Sequence, residues 1–271
     1  MSLLPILLFF GIQLGVAMVC MVFMGVMAAL QTGGEMDAAE LTVVISQLYM
    51  DNIIPILIIS QIVASIVFGL WYYFAFGKKQ RPESAERPQA YQILLIIVLG
   101  VAAQFAISGL LNVVEILMPG ALSEYEELME MAGIGEITIL TLISTVLLAP
   151  FSEELTCRGV IYRLAGKISP KFWVANVVQA LAFGILHGNL IQGAYAFGLG
   201  IILGLVYRQF QNIWICMLLH ASMNCSSILV EPYYSLFPEE AAMAVLIVTM
   251  LLAAALGAFC LKGILKKHSE Q

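Results

Sequence analysis

Apolar residues fill eight long stretches of this chain, and polar residues gather in the short gaps between them. The stretches cover residues 3–30, 53–77, 91–118, 137–165, 170–188, 190–208, 212–230 and 241–264. Crossing a hydrocarbon core takes about 20 apolar residues in a helix. The pattern therefore predicts an all-α fold, a polytopic membrane helix bundle of about eight transmembrane helices. The first three stretches and the last are long enough to tilt, whereas the fifth to seventh are short and closely spaced. The chain divides into residues 1–136 with three spans, a core of four spans at 137–230, and a last span with its tail at 231–271. All three belong to one integral membrane domain. The opening "MSLLPILLFFGIQ" has neither a basic leading region nor a small-residue cleavage site, so it reads as a retained first span.

Composition agrees with the pattern, and charge adds an orientation. Hydrophobic residues make up 61% of the 271 and charged residues only 11%, with a mean hydropathy of +0.96. A soluble domain carries roughly 25% charged residues. The gaps at 31–52, 119–136 and 231–240 hold acids, whereas Lys78, Lys79, Arg81, Arg87, Arg163, Lys167, Lys171, Arg208, Lys262, Lys266 and Lys267 cluster at the opposite ends of the spans. With eight spans and both termini cytoplasmic, all 12 Lys and Arg fall on the cytoplasmic side, as the positive-inside rule expects. Trp71, Tyr72, Tyr73, Trp173, Tyr207 and Trp214 would form an aromatic belt near that face. No basic tract points to nucleic acid. The five cysteines show no paired spacing and read as small apolar fillers.

Inside the core, punctuation becomes informative. Pro150 interrupts the fourth span and predicts a kink there. "KISPKFW" predicts a helix start with Ser169 as N-cap and Pro170 in the first turn. "LHGNL" predicts a short turn at membrane depth, tolerated only where it is buried in protein or lines a cavity.

Ionisable groups within spans are few: Glu115, Glu153, Glu154, Arg158, His187 and His220, with Asn176, Gln179, Asn189, Gln192 and Asn224 as polar companions. Such groups mark function by default. Glu154 and Arg158 stand at i and i+4 in the order that favours an ion pair. Glu153 then points about 100° away and stays free on another face. Phe183 and His187, and likewise His220 and Asn224, share a helix face at the same spacing. At about 1.5 Å per residue, Glu153, His187 and His220 lie roughly 12–24 Å from the basic ends of their spans, a depth compatible with one shared cavity. A glutamate and a histidine activate water, and a histidine and an asparagine donate to an oxyanion. That set suits peptide-bond hydrolysis inside a membrane. No second intramembrane aspartate exists, which excludes an aspartyl dyad, and there is no Gly-x-Ser-x-Gly.

"EELTCR" (Glu153–Arg158), "FGILH" (Phe183–His187) and "HASMN" (His220–Asn224), in this order, resemble the signature of the CAAX protease and bacteriocin-processing family. That family includes the Ras-converting CAAX endopeptidases, and the stretch "HGNLIQGAYAFGLGIILGLVYR" is similar to its bacterial branch. The resemblance covers about 140–230. It implies an intramembrane glutamic endopeptidase acting on membrane-associated, lipidated or hydrophobic peptides. By position, Glu153 would polarise water with help from His187, and His220 with Asn224 would form the oxyanion site. Glu154 and Arg158 would support them. No cofactor is implied, and the location would be a bacterial cytoplasmic membrane with the site open to the cytoplasmic half.

Two other readings fit the same residues. Glu153, His187 and His220 are a known type of zinc donor set, although there is no His-Glu-x-x-His. A non-catalytic immunity or scaffold protein could keep the same polar groups. A transporter is disfavoured, because no internal repeat is visible. The sequence leaves the substrate and the oligomeric state open.

Overall fold

The computed structural model describes residues 3–33, 35–77, 87–131 and 137–265. The basic positions Lys78, Lys79, Arg81, Lys266 and Lys267, together with Glu136 and His268, lie outside these. Among the described residues every regular element is helical. In chain order they are α1 (Leu3–Gln31), α2 (Ala38–Asp51), α3 (Ile53–Phe76), α4 (Ala90–Leu117), α5 (Ser123–Met131), α6 (Ile139–Ile168), α7 (Phe172–Leu186), α8 (Leu190–Phe210), α9 (Ile213–Tyr234) and α10 (Glu239–Leu265). Seven of these are long and apolar enough to cross a membrane. The remaining apolar stretch, α7, has 15 residues and a length of about 22 Å, short of a full hydrocarbon crossing.

The helices α2 and α5 occupy gaps that the apolar pattern leaves as loops. Asp37 starts α2 with a capping box: its carboxylate accepts from the Ala39 and Glu40 amides at 2.8 and 2.9 Å, and Glu40 accepts from the Asp37 amide at 3.2 Å. The Asp-x-x-Glu spacing was the available signal. Glu115, a candidate intramembrane acid, instead sits at the end of α4 and closes the turn into α5. Its two oxygens accept from the Gly120 and Leu122 amides at 2.6 and 3.0 Å. The start of α7 is two residues later than "KISPKFW" predicts. Lys171 holds the N-cap position, and the Ser169 hydroxyl accepts from the Lys171 amide at 3.3 Å.

Helices α6 to α9 form the inside of the bundle with α3 and α4, while α1 and α10 flank it. Leu7, Leu14 and Val22 of α1, and Leu251, Leu252 and Phe259 of α10, are exposed. In a bilayer these positions face lipid tails, where exposure of apolar surface costs nothing. Helix–helix association there depends on close packing and polar contacts rather than on water exclusion.

The contact between α7 and α8 shows what this requires. A Cβ at Gly184 would stand 2.6 Å from the Gly193 carbonyl oxygen, and one at Gly200 would stand 2.9 Å from Ala180 Cα. At Gly204 a Cβ would overlap the Asn176 carboxamide oxygen. Asn176 and Gln179 are fully buried on α7 and bond across the seam, Asn176 to the Ile201 carbonyl at 3.2 Å and Gln179 to the Gly200 carbonyl at 2.7 Å. Gly204→Ala is therefore expected to lower stability by about 1–3 kcal/mol through overpacking. Thermal melting in detergent checks this, with the exposed Gly198→Ala, which has open space around it, as the neutral control.

The basic end of the bundle is pinned by aromatic residues. Arg163 donates to the Tyr207 and Tyr72 hydroxyls at 2.9 and 3.4 Å and stacks over the Tyr72 ring at 5.1 Å. Arg208 stacks over Phe172 at 4.4 Å. These cations join α6, α8, α3 and α7 at one level.

Candidate active site

Pro150 governs the local backbone of α6. Rather than a simple kink, two π-helical segments, Ile143–Leu148 and Leu155–Ile161, flank the hexapeptide Ala149–Glu154. In a π-helix each amide bonds the carbonyl five residues back. The Ala149 amide accordingly reaches the Ser144 carbonyl. In that register the next amide belongs to Pro150, which has no N–H, so the Thr145 carbonyl loses its helical donor. Asn224 of α9 replaces it, donating its side-chain amide to the Thr145 carbonyl at 2.8 Å. π-Bulges concentrate at functional sites because they re-aim side chains. Here they bracket the two glutamates.

One expectation follows for this device. Asn224→Ala should destabilise the protein by about 1–3 kcal/mol, since it leaves the Thr145 carbonyl unpaired. Pro150→Ala in the same chain restores an amide beneath that carbonyl and should recover part of the loss. A double-mutant cycle on melting in detergent measures the coupling.

Glu154 and Arg158 form a completely buried ion pair, with Arg158 Nη1 2.8 Å from Glu154 Oε1. The guanidinium also donates through Nη2 to the Gly200 carbonyl at 3.2 Å and lies over the Phe183 ring at 4.8 Å. Arg158 thus fastens α6 to both α7 and α8. Gly200 accepts from Arg158 and Gln179 together.

His220 sits between the two carboxylates. Its Nδ1 is 3.1 Å from Glu154 Oε1, and its Nε2 is 3.8 Å from Glu153 Oε2. An ionised Glu154, held by Arg158, only accepts, so the Nδ1 carries the hydrogen. In the neutral ring that leaves Nε2 as an acceptor pointing toward Glu153. Glu153 Oε2 is itself buried and has no hydrogen-bond donor.

His187 closes the C-terminal end of α7. Its Nδ1 lies 2.8 Å from the Phe183 carbonyl. A carbonyl only accepts, so this nitrogen is the donor and Nε2 is left free. Phe183 connects the two histidines edge-on, with ring centroids 5.0 Å from His187 and 5.4 Å from His220. Gly188 follows with φ +72°, the left-handed conformation that the turn demands. Asn189 then caps α8 by accepting from the Gln192 amide at 2.7 Å.

The structure brings together Glu153, Glu154, Arg158 and His220 by direct contact. His187 joins them through Phe183, and Asn224 joins through the α6 backbone. The sequence pairs Glu153 with His187, whereas the imidazole standing within ion-pair range of Glu153 is that of His220. The difference arises because His187 is committed to the α7 terminus. For zinc, Glu153, His187 and His220 would have to converge. Among the described residues no group of three His, Cys, Asp or Glu side chains is placed to hold a metal ion. The five cysteines are free.

Fold and site together define a multi-pass integral membrane protein with a glutamate–histidine cluster inside its helix bundle. His220 is about 10 Å and Phe183 about 17 Å along their helices from the basic end. Residues 135–226, which contain every member of the cluster, match the family described as "Type II CAAX prenyl endopeptidase Rce1-like". The chain is 22% identical over 144 residues to "Putative membrane peptidase YdiL" of Bacillus subtilis (strain 168), an alignment spanning 52% of this chain and 58% of that protein. The match thus covers less than two thirds of the relative's length. No solved structure matches the chain. Both matches agree with the resemblance that the three motifs carry.

Proposed function

We propose that this protein is an intramembrane endopeptidase that hydrolyses peptide bonds of membrane-associated, lipidated or hydrophobic peptides with a water activated by Glu153. The observation that carries this reading is the spacing of two facing acceptors: Glu153 Oε2 and His220 Nε2 are 3.8 Å apart, and the carboxylate oxygen is buried without a donor. One water placed between them gives a hydrogen to each and turns its lone pairs toward a bound carbonyl. Glu154 keeps His220 in the tautomer that accepts.

In the reaction, Glu153 takes a proton from the water as the oxygen attacks the scissile carbonyl carbon. The second amide hydrogen of Asn224, not used by Thr145, is available to the developing oxyanion. The C–N bond then breaks, and the proton held by Glu153 passes to the leaving amine. His187, with Nε2 free, orients the substrate amide or the water from the other side of Phe183. This assigns His220 to the water, whereas the resemblance alone places it at the oxyanion. The family match supports the protease class, and the positive-inside rule supports a site reached from the cytoplasmic half.

The reading is tested by peptide release from total membrane peptides in vesicles that contain the purified protein. Wild type releases new peptide termini and Glu153→Gln does not. Release that persists unchanged in Glu153→Gln rejects the mechanism.

A further inference from the structure

A serine or threonine within a helix commonly donates its hydroxyl to a carbonyl one turn back in the same helix. Three residues of α6 do so: Thr145 to the Thr141 carbonyl at 2.8 Å, Ser152 to that of Ala149 at 3.1 Å and Thr156 to that of Ser152 at 2.8 Å. Ser144 does not. Its buried hydroxyl donates to a different helix, to the side-chain oxygen of Gln61 on α3 at 3.1 Å. Ser144 lies in the first π-helical segment, and its own carbonyl accepts the Ala149 amide of that register. The next residue, Thr145, is held from α9 by Asn224. Two neighbouring helices thus grip adjacent residues of one π turn. Helix α3 also runs beside the second π segment. A Cβ at Gly69 would stand 3.8 Å from Leu155 Cδ1, and one at Gly159 would stand 3.4 Å from Tyr72 Cδ2. Gln61 belongs to none of the three motifs and lies outside residues 135–226 of the family match.

We propose that Gln61 is a positioning residue of the site: through Ser144 it keeps the first π segment of α6 in register and so aims Glu153 at His220. A π turn holds one residue more than an α turn, so a return to α register would rotate every later side chain of α6 by about 100°. Glu153 lies downstream of this turn, and in the observed register its carboxylate stands 3.8 Å from His220 Nε2. The Asn224 bond alone would leave the turn free to pivot about the Thr145 carbonyl. A second bond, on the adjacent residue and from another helix, fixes its rotation. The register part of this inference stands on these contacts, and its catalytic part rests on the endopeptidase reading above.

The test removes both partners at once, because Gln61→Leu with Ser144→Ala strands no polar group and should melt close to wild type. A bond that only added stability would then leave the site unmoved. The reporter is the His220 imidazole in the NMR spectrum of the full chain in detergent. The chain has three histidines, His187, His220 and His268, and the signal lost in His220→Gln identifies its owner. The double variant is expected to displace the His220 signal and leave that of His268 in place. Gln61→Leu alone should displace it in the same direction, and it carries the test if the double variant does not fold. Ser65→Ala, which removes a hydroxyl bonded to the Gln61 main-chain carbonyl at 2.6 Å within α3, should leave it unmoved. In the peptide-release assay the double variant should lower kcat about tenfold with KM within about twofold, the pattern of a misplaced group rather than lost binding. An unmoved His220 signal, or an equal displacement by Ser65→Ala, overturns the proposal. So does a wild-type kcat in the double variant where Glu153→Gln is inactive. A displaced signal combined with full cleavage by Glu153→Gln upholds the register coupling and rejects the endopeptidase reading instead.

Discussion

Replacement of Glu153 by glutamine is expected to reduce peptide release by about 10²–10⁴-fold, the range for loss of a general base, with folded yield and melting unchanged. The carboxamide is nearly isosteric. It takes no part in the Arg158 ion pair, and it stands 3.8 Å from His220 Nε2. A glutamine can still hydrogen-bond a water but cannot take its proton. The side chain is 17% exposed, so the change removes chemistry without uncovering a buried charge. Single-turnover release from a defined hydrophobic peptide measures the effect, and size-exclusion profiles in detergent establish that the fold persists.

Glu154→Gln should show the opposite balance. Glu154 and Arg158 have side-chain exposures of 0% and 0%, so the substitution strands a guanidinium in a low-dielectric interior. Removing one partner of a buried pair costs about 3–5 kcal/mol, enough to consume much of the stability of an ordinary domain. The variant should therefore express poorly, or melt far below wild type. Activity should fall as well, because the glutamine amide no longer demands a hydrogen from His220 Nδ1 and the imidazole loses its fixed tautomer. Equal melting of Glu153→Gln and Glu154→Gln would remove the division of labour between the two acids.

The contrast between adjacent glutamates was legible in the chain. An i, i+4 Glu–Arg pair identifies the acid that is neutralised, and helical periodicity sends its neighbour elsewhere. The Glu154–Arg158 contact at 2.8 Å has that geometry. The partner of Glu153 was not legible. His187 and His220 have equivalent spacing to an aromatic or an amide, and only the crossing of α6, α7 and α9 selects between them. His187 is taken by the last turn of α7, which leaves its ring bonded to the Phe183 carbonyl.

The backbone of α6 shows the same limit. Pro150 announces a missing amide hydrogen, but the sequence does not say how the helix accommodates it. The structure resolves it through π registers on both sides and through Asn224, which lies 79 residues from Thr145. No local pattern encodes a donor that far along the chain. The short helices α2 and α5 were passed over for a different reason. Helix α5 is polar, and α2, though largely apolar, has only 14 residues, too few for a crossing, although its Asp37–Glu40 capping box was present to be read.

By itself, then, the sequence determined the membrane environment, the number and order of the apolar stretches and the residue types of the polar cluster. Long apolar runs and rare intramembrane charges have few alternative explanations, because hydrocarbon leaves unsatisfied polar groups no solvent. Tertiary structure alone decided which imidazole faces Glu153 and which carbonyl holds Asn224. Those choices depend on angles and distances between helices. Gly184, Gly200 and Gly204 set them by letting α7 and α8 approach until buried amides meet across the seam.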